Sequence, residues 1–547
     1  MHFDIEKSAI FEDSYNAINF FGGWLPFEYS GPRSEYMAGR ESAWLGINLN
    51  FSPAYDVYGK DTIKLMNRVC VNRDFAKLKE GASRHAVICD EKGRMMADGV
   101  VIKIGEDHFR CYFLAPVLQY YVESSGMDVA GKYIEDEYFY QIDGPKSLEI
   151  MERACECDLH DLKFAHNKRV KICGTDMTIH RLGMSGALAY EVHGAAKDAE
   201  IAYRRIRSVL EEFGGKPQGV RNYAVVNHTP AGYANQMQHY IYPIFSGDPK
   251  LAEFCQGKAI NMPLRGSASD DENNFYLTPY DVGWGFLVNF DHDFIGKDAL
   301  QKIAQDPPRQ VVTLEWNTED VGDVFMSQFR GKDVDFYDPI EDHTPNADGS
   351  EGVFVRGDYV LADGKKIGMA TGKTYAYYER RMISLAIIDK AYAVEGKELT
   401  VLWGSEGYPK KEIRATVAQF PYYQGEYRNE TFDVEKIPHP DFTKAASGSL
   451  EGRYDIMVNV AGKDNPGYFC YHTEGSALTG TATAMGSTAE ITDGSVDGNH
   501  FQHAMKMKTP MGTMKIKVDG TFDGDEIRGT LKAMMITMTF SGKRAKE

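Results

Sequence analysis

The stretch from Arg181 to Tyr242 constrains the fold more than any other part of the chain. Two glycines precede a short apolar run that carries one carboxylate, Glu191, and an amphipathic segment from Asp198 to Phe213 then predicts a helix. A second turn at 214–215 leads to Tyr223 and to an aromatic, polar segment that we expect to be a loop. A carboxylate in an apolar segment is costly to bury alone, so Glu191 is predicted to meet a partner.

Length and charge restrict the class of protein. With 547 residues, the chain is too long for one hydrophobic core, so several domains are expected. The net charge of −18 argues against nucleic acid or an anionic membrane as the main partner, because both require basic patches. There is no run of about 18 apolar residues, so no membrane span is expected. The start has no apolar signal core and the eight cysteines have no zinc or disulfide spacing, which favours a cytoplasmic location with reduced thiols.

The order of strand and helix signals predicts an α+β chain of several parts. Short alternating strands joined by Asp-Gly turns predict an all-β barrel or sandwich at the C-terminus. In the connecting segment, Phe286–Phe290 is predicted to be an apolar strand, and the acidic stretch after Trp316 a surface loop. The predicted parts are a first lobe (1–50 and 140–245), a second lobe (51–139), a connecting segment (246–310), a β-rich third lobe (311–437), a linker (438–450) and the C-terminal β domain (451–547).

Four segments carry a resemblance to a known family: QIDGPKSLEIM, GMSGALAYEV, YLTPYDVGWGFLVNFDHDFIGKDAL and GMATGKTYAYYERRMISLAII. Their order across residues 40–430 is similar to that of the tetrahydrofolate-dependent aminomethyltransferases, the T-protein family of the glycine cleavage system. The third segment and the run Tyr-Tyr-Glu-Arg-Arg look like the subgroup that demethylates aryl methyl ethers, such as the vanillate, 3-O-methylgallate and syringate O-demethylases. The C-terminal β domain is not part of the usual family pattern.

The resemblance implies a three-lobed cloverleaf fold with tetrahydrofolate in a central channel. Glu191 matches the family glutamate that holds the pterin, whose amino group and ring N–H offer parallel donors to one carboxylate. Tyr223 stands at the spacing where the aryl demethylases carry a catalytic tyrosine, and a phenol can protonate the leaving oxygen as an ether bond breaks. The alternatives are a surface strand residue for Glu191 and a core tyrosine for Tyr223.

Two departures from the demethylase pattern bear on the substrate. Tyr233 stands where we align the demethylase tryptophan that lies against the folate, and tyrosine can still stack there. Leu114 stands where demethylases of aromatic acids have an arginine for the substrate carboxylate, so we expect a donor that lacks this carboxylate or binds it elsewhere. The predicted substrate contacts are Asn48, Leu114, Tyr120 and His228, Asp98 is a candidate acid, and no metal ligand is predicted.

These residues together predict an O-demethylase that moves a methyl group from a methoxylated aromatic compound to N5 of tetrahydrofolate, giving a phenol. Tyr223 favours an ether donor, because a sulfonium leaving group is already neutral and needs no proton. Transfer from a methylated amine or sulfonium is the alternative within the enzymes. A non-catalytic folate-binding protein is the alternative from another class, and FIGKDAL replaces the cysteine-containing signature of such proteins.

Overall fold

Five β-sheets and the helices between them account for most of the described chain. The computed structural model describes residues 8–20, 23–47, 54–236, 238–340, 354–440, 442, 450–460, 463–474, 476–484, 486–509, 512–534 and 536–545. These residues fall into two compact units, Met1–Pro438 and His439–Glu547. Much of the predicted linker at 438–450 lies outside the described residues, as does the predicted substrate contact Asn48.

The first unit contains twenty described strands and nine described α-helices. The strands are β1 (Asn16–Phe20), β2 (Gly23–Glu28), β3 (Trp44–Ile47), β4 (Ala54–Tyr58), β5 (Ser83–Cys89), β6 (Met95–Gly105), β7 (His108–Tyr112), β8 (Ala130–Ile134), β9 (Glu137–Asp143), β10 (Asn167–Ile172), β11 (Thr175–His180), β12 (Ala189–Ala195), β13 (Lys216–Gln218), β14 (Leu264–Arg265), β15 (Arg309–Trp316), β16 (Val355–Ala362), β17 (Lys365–Ala376), β18 (Arg381–Asp389), β19 (Glu398–Trp403) and β20 (Lys411–Ala418). The helices are α1 (Pro32–Glu41), α2 (Thr62–Val69), α3 (Val117–Ser124), α4 (Ser147–Cys155), α5 (Ala199–Glu212), α6 (His228–Ala231), α7 (Pro249–Cys255), α8 (Lys297–Gln305) and α9 (Thr318–Ser327).

Three larger sheets organise this unit. A six-stranded sheet has the order β10-β11-β12-β9-β3-β13, a five-stranded sheet the order β5-β6-β7-β4-β8, and a seven-stranded sheet the order β14-β16-β17-β18-β15-β20-β19. In the six-stranded sheet, β9 and β12 are buried along nearly their whole length. Their apolar residues share one hydrophobic cluster with α4 and α5, so these helices and the sheet form one core.

Helix α5 illustrates how the sequence specifies a local element. Its buried positions recur at helical spacing (Ala202, Tyr203, Ile206, Val209 and Leu210), which gives the helix one apolar face. Arginines on the outer face pair with glutamates four residues away, as Arg204 does with Glu200. Gly214 follows the helix with a positive φ of 73°, a conformation in which glycine is favoured.

The second unit is a closed barrel in which consecutive strands pair antiparallel and the first pairs with the last. Its aromatic, leucine and methionine side chains fill the interior. The α+β class with an all-β C-terminal domain is therefore confirmed, and that domain is a barrel rather than a sandwich. The strands are β21 (Gly452–Val460), β22 (Lys463–Glu474), β23 (Ala477–Ala484), β24 (Ser487–Asp497), β25 (His500–Thr509), β26 (Gly512–Asp523), β27 (Glu526–Ala533) and β28 (Ile536–Arg544).

Three local expectations are wrong. The run Phe286–Phe290 is not a strand: Gly285–Leu287 is a 3₁₀ turn, and Phe286 is 81% exposed. The acidic stretch after Trp316 begins as helix α9, because the Asn317 side chain accepts hydrogen bonds from the first backbone amides of the helix. The expected loop at Tyr223 is helical, with a π-helix at Arg221–Val226 followed by α6. Within the described residues, none of the helices has the length and apolar character needed to cross a membrane.

Candidate functional site

One row of residues crosses four strands of the six-stranded sheet. His180 of β11 pairs with Glu191 of β12, Glu191 pairs with Gln141 of β9, and Gln141 pairs with Gly46 of β3. Directly paired residues in antiparallel strands point to the same face, so this row, which we call the transverse row, presents polar groups side by side. His193 lies on the same face as Glu191, two residues further along β12.

Glu191 is a buried carboxylate with incomplete surroundings. The residue is only 7% exposed, and in the described part of the chain its carboxylate lies 3.6 Å from His193 Nε2 and 3.7 Å from His180 Nδ1. Both distances exceed that of a good hydrogen bond. Neither ring nitrogen of His180, nor Nε2 of His193, has a hydrogen-bond partner among the described residues. Buried polar groups without partners are rare, so this cluster is suited to a ligand that completes it.

Burial also sets the charge state of His180. Removal from water, and then the neighbouring His193, lowers its pKa to about 3. The imidazole is therefore neutral at physiological pH, with one nitrogen able to donate and the other able to accept. A neutral imidazole beside Glu191 can both donate a hydrogen bond to a ligand and accept one from it.

Tyr223 lies over the other end of the transverse row. Its hydroxyl donates a hydrogen bond to Gln141 Oε1 at 3.0 Å, and its ring packs edge-on against Trp44 with 5.8 Å between centroids. A Cβ at Gly46 would lie 2.7 Å from Cδ2 of Tyr223, so the ring rests directly on the glycine backbone. Burial, followed by the charges of Glu191 and Asp143, raises the pKa of this phenol well above its usual value. The phenol therefore keeps its proton at neutral pH.

Gln141 connects Tyr223 to a further buried acid that sequence reasoning passed over. Its Nε2 donates to both carboxylate oxygens of Asp143 at 3.0 Å. Burial raises the pKa of Asp143 to about 8, against the opposing hydrogen bonds from Ser185 and Gln141. The period-2 alternation of QID at the end of β9 was the available signal, because it places Gln141 and Asp143 on one face.

A second acidic cluster surrounds Asp98 on β6. The hydroxyls of Tyr240 and Tyr242 both donate to Asp98 Oδ1, and His85 Nε2 lies 2.9 Å from Oδ2. The Asp98 amide also donates to the Tyr242 hydroxyl at 2.9 Å. Asp98 therefore has partners for both of its carboxylate oxygens, and three of the groups around it can hold a proton.

Aromatic rings join the two acidic clusters. Tyr233 packs 5.5 Å from Trp284 and 5.7 Å from His85 between ring centroids, and its hydroxyl lies 3.5 Å from His85 Nε2. Burial, and then the charges of Asp98 and Glu191, raises the pKa of Tyr233 well above its usual value. The charges of both acids therefore favour the protonated form of the Tyr233 phenol.

His228 lies beside this aromatic group. Its ring is 5.8 Å from that of Tyr233, and its Nε2 is 3.2 Å from Asn235 Nδ2. Burial lowers the pKa of His228 to about 4, so the imidazole is neutral. Among the residues predicted from the sequence, His228, Tyr233 and Asp98 are thus linked through His85, and the charge of Glu191 acts on both Tyr223 and Tyr233.

Two other predicted residues belong to a different cluster. Leu114 is fully buried in the hydrophobic cluster of the five-stranded sheet, and Tyr120 packs at its edge. The Tyr120 hydroxyl donates to Asp248 at 3.3 Å in an exposed position. Because Leu114 is fully buried, it cannot contact a substrate, and the prediction that it does so is wrong. Its effect on specificity is that no arginine is present at this position to bind a substrate carboxylate. Asn48 lies outside the described residues.

The cluster around Glu191 also meets the spacing of a cation site. Ligand atoms of His180, Glu191 and His193 all lie within 4.8 Å of one another, and all three residues are buried. Two imidazoles and one carboxylate are common ligands of transition metals. A cation and an organic ligand with N–H donors are therefore alternative partners for the same carboxylate.

Comparison with known proteins identifies the family. The GCVT N-terminal domain matches residues 14–228. A sesamin methylene transferase from Sinomonas sp. (strain No.22) is 44% identical over 446 residues, which cover 79% of this chain and 98% of that protein. A syringate O-demethylase from Sphingobium sp. strain SYK-6 is 27% identical over 73% of this chain and 90% of that protein.

A solved structure agrees on the fold of the first unit. The glycine cleavage system aminomethyltransferase T from Bartonella henselae superposes with a TM-score of 0.56 at 17% identity, covering 76% of this chain and 96% of that one. The resemblance inferred from four sequence segments is thereby confirmed. The chain belongs to the tetrahydrofolate-dependent aminomethyltransferase (glycine cleavage T-protein) family of transferases, here with an added C-terminal β-barrel.

Proposed function

We propose that this protein cleaves an aryl ether C–O bond and transfers the one-carbon group to tetrahydrofolate, releasing a phenol. The observation that carries the proposal is the buried phenol of Tyr223, at the opposite end of the transverse row from the carboxylate of Glu191 and its histidines. An ether oxygen is a poor leaving group unless it is protonated as the bond breaks. A protonated phenol on the same sheet face as the cofactor-binding acid supplies that proton.

The residues around Glu191 fit the pterin of tetrahydrofolate. A pterin offers adjacent N–H donors, and one carboxylate accepts two parallel hydrogen bonds well. The unpartnered nitrogens of His180 and His193 match the further donor and acceptor atoms of the same ring system. Such a ligand would satisfy buried groups that are costly to leave alone, so Glu191 and the two histidines would hold it.

Each group of the site then has a separate task. When bound, tetrahydrofolate supplies the N5 nucleophile that accepts the one-carbon group. Glu191 orients the pterin, and the rings of Tyr233 and Trp284 offer flat apolar faces that exclude water. Tyr223 donates its proton to the departing phenolic oxygen, a contribution that is typically about 10²–10⁴-fold in rate.

A methylenedioxy group is the donor that we favour. The 44% identical relative is a methylene transferase acting on sesamin, whereas the O-demethylase relative is 27% identical. Leu114 in place of a carboxylate-binding arginine also favours a neutral aromatic donor. Releasing a CH₂ unit from two oxygens breaks two C–O bonds and needs two protons on oxygen. The cluster of Asp98, Tyr240 and Tyr242 offers a second proton-holding group beside that of Tyr223.

A methoxy donor, as first predicted, is the second candidate. It needs one C–O cleavage and one proton, and the tyrosine alone suffices for this. The syringate O-demethylase relative supports it. The two donors give different folate products, since CH₂ transfer forms 5,10-methylenetetrahydrofolate and CH₃ transfer forms 5-methyltetrahydrofolate.

The test is to incubate the protein and tetrahydrofolate with matched pairs of neutral aromatics that carry either a methylenedioxy or two methoxy groups, each labelled with ¹³C at the one-carbon unit. We expect a catechol and labelled 5,10-methylenetetrahydrofolate from the first of each pair. Labelled 5-methyltetrahydrofolate from the second would select the O-demethylase instead. Labelled methylated amines and sulfoniums are assayed in parallel, and label transfer from these donors but from neither aromatic would reject ether cleavage altogether.

A further inference from the structure

The amide of Gln141 sits between two groups that compete for its orientation. Its Nε2 lies 3.0 Å from both oxygens of Asp143, and its Oε1 lies 3.0 Å from the hydroxyl of Tyr223. All three residues are at most 4% exposed, so water does not substitute for these contacts. The paired backbones of β9, β12 and β3 hold Gln141 in place, which leaves rotation of the amide as the available change.

An ionised Asp143 permits only one of the two amide orientations. A carboxylate only accepts hydrogen bonds, so it requires Gln141 to present its NH₂ group, as observed. The amide oxygen then faces Tyr223 and accepts the phenol proton at 3.0 Å. In this arrangement the proton that the ether needs is directed into the sheet instead of toward a substrate.

A protonated Asp143 permits the opposite orientation. Its hydroxyl donates to Gln141 Oε1, the amide turns over, and Nε2 donates to the Tyr223 oxygen. The phenol hydrogen is then free to point away from the sheet. The same N–H would stabilise the phenolate that remains once the proton has gone to the leaving oxygen.

We propose that Asp143 is a positioning residue that, when protonated, turns the Gln141 amide and so frees the Tyr223 hydroxyl to donate its proton. This inference rests on the proposed role of Tyr223 as the proton donor. The switch takes up one proton from solvent, which forms an O–H bond on Asp143, and the Gln141 amide rotates by half a turn; no other covalent bond forms or breaks. At catalysis the Tyr223 proton passes to the phenolic oxygen as its bond to carbon breaks.

The surroundings of Asp143 favour the protonated form. Burial, with a smaller contribution from the charge of Glu191 on β12, raises its pKa to about 8. The titratable groups that face it are Glu191, Tyr223 of the π-helix and Tyr427 from the segment after β20, with the Ser185 hydroxyl as a further hydrogen-bond partner. Because the native pKa is raised, Asp143 is mostly protonated below pH of about 8 and ionised above it. At neutral pH the Tyr223 hydroxyl is therefore expected to be available to a substrate, and at alkaline pH it is expected to donate its proton to Gln141 Oε1 instead.

The test uses infrared difference spectra of the full chain without folate or substrate, recorded across this pH range. We expect a carboxylic-acid C=O band that disappears as the pH rises and is missing in Asp143→Asn. The C–O stretching band of Tyr223, assigned with Tyr223→Phe, should shift in step with it as the hydroxyl changes from acceptor to donor. Asp143→Asn carries an NH₂ group at every pH, so its tyrosine band should no longer follow the pH.

The pH dependence of kcat provides a second test of the switch. Wild-type kcat should fall by about tenfold for each pH unit above the transition, and Asp143→Asn should keep its activity there. Glu152→Gln is the matched control: it removes another buried carboxyl with a raised pKa, and it should leave both the Tyr223 band and the alkaline limb unchanged.

The possible failures are distinguishable. A Tyr223 band that does not follow the Asp143 band overturns the switch, even if ethers are cleaved. An alkaline limb that persists in Asp143→Asn overturns it as well. If the two bands move together and no aryl ether is turned over, the switch is supported and only the proposed reaction is rejected.

Discussion

Asp98 and Glu191 are two carboxylates of one candidate site with opposite surroundings. Asp98 accepts from two tyrosine hydroxyls and contacts His85, so the protein itself satisfies the group. Glu191 has two histidines at 3.6 and 3.7 Å and no hydrogen bond from any described residue. A satisfied acid is already oriented for proton transfer, whereas an unsatisfied one is available for binding. Under the proposed function, this contrast favours a role in proton transfer for Asp98 and a role in cofactor binding for Glu191.

The largest expected effect comes from removing the proton donor. Tyr223→Phe should lower kcat by about 10²–10⁴-fold, because the leaving oxygen then departs unprotonated. The tetrahydrofolate Kd should stay unchanged, since the ring and its contact with Trp44 remain. Steady-state kinetics and calorimetry measure the two quantities. Tyr203→Phe, a buried tyrosine in the α5 core, is the control, and a Tyr223→Phe enzyme with full turnover would refute the assignment.

Glu191→Gln should mainly weaken the binding of tetrahydrofolate. Loss of two charge-assisted hydrogen bonds costs roughly 3 kcal/mol, or about 100-fold in the Kd for tetrahydrofolate. Isothermal titration calorimetry with 5-methyltetrahydrofolate measures the change in the absence of turnover. Glu149→Gln on helix α4, which removes a half-buried carboxylate paired with Lys146, provides the control. If the Kd of the Glu191 variant matches that of the wild type, the pterin is held elsewhere.

Asp98→Asn should lower kcat and leave the Kd for tetrahydrofolate nearly unchanged, and this effect should be smaller than that of Glu191→Gln on the Kd. Replacing the acceptor of the Tyr240 and Tyr242 hydroxyls removes about 1.5 kcal/mol of charge-assisted bonding, which corresponds to about a tenfold fall in kcat. The Kd for tetrahydrofolate should change little. The split between kcat and Kd is the informative result, because a variant that loses binding and turnover together would remove the distinction between the two acids.

The smallest effect is expected from metal removal. If Glu191 holds a pterin, dialysis against a chelator should leave both the tetrahydrofolate Kd and turnover within experimental error. Metal analysis of the purified protein then checks the alternative offered by His180, Glu191 and His193. Activity that is lost on chelation and restored by one added divalent ion would reassign the cluster.

Periodic elements were predictable from the sequence, and contacts between distant strands were not. Helix α5 was expected over 198–213 and spans Ala199–Glu212, because its apolar spacing is regular. Helix α9 was missed because its acidic residues suggested a solvated loop, although acids near a helix N-terminus are stabilising. The prediction of a strand at 286–290 was wrong because an apolar stretch alone does not distinguish a strand from a turn.

The same division applies to the site. Glu191 and Tyr223 were identified through the family resemblance, each from its own local segment. Gln141, Asp143 and His180 were not, because only the register of β9, β11 and β12 places Gln141 and His180 opposite Glu191, and Asp143 joins them through Gln141. Sheet register depends on long-range pairing, which one sequence does not specify. Polar residues at alternate positions in otherwise apolar strands were the available clue.

The bare backbone at Gly46 has a consequence for redesign. Because the Tyr223 ring rests on this residue, one missing methyl group sets how far the phenol stands from the sheet. A side chain at Gly46 would push the Tyr223 ring away from the sheet and so shorten the distance from its hydroxyl to a substrate bound above it. Substitutions at Gly46 are therefore a way to change the space available to the aromatic substrate while Tyr223 itself stays unchanged.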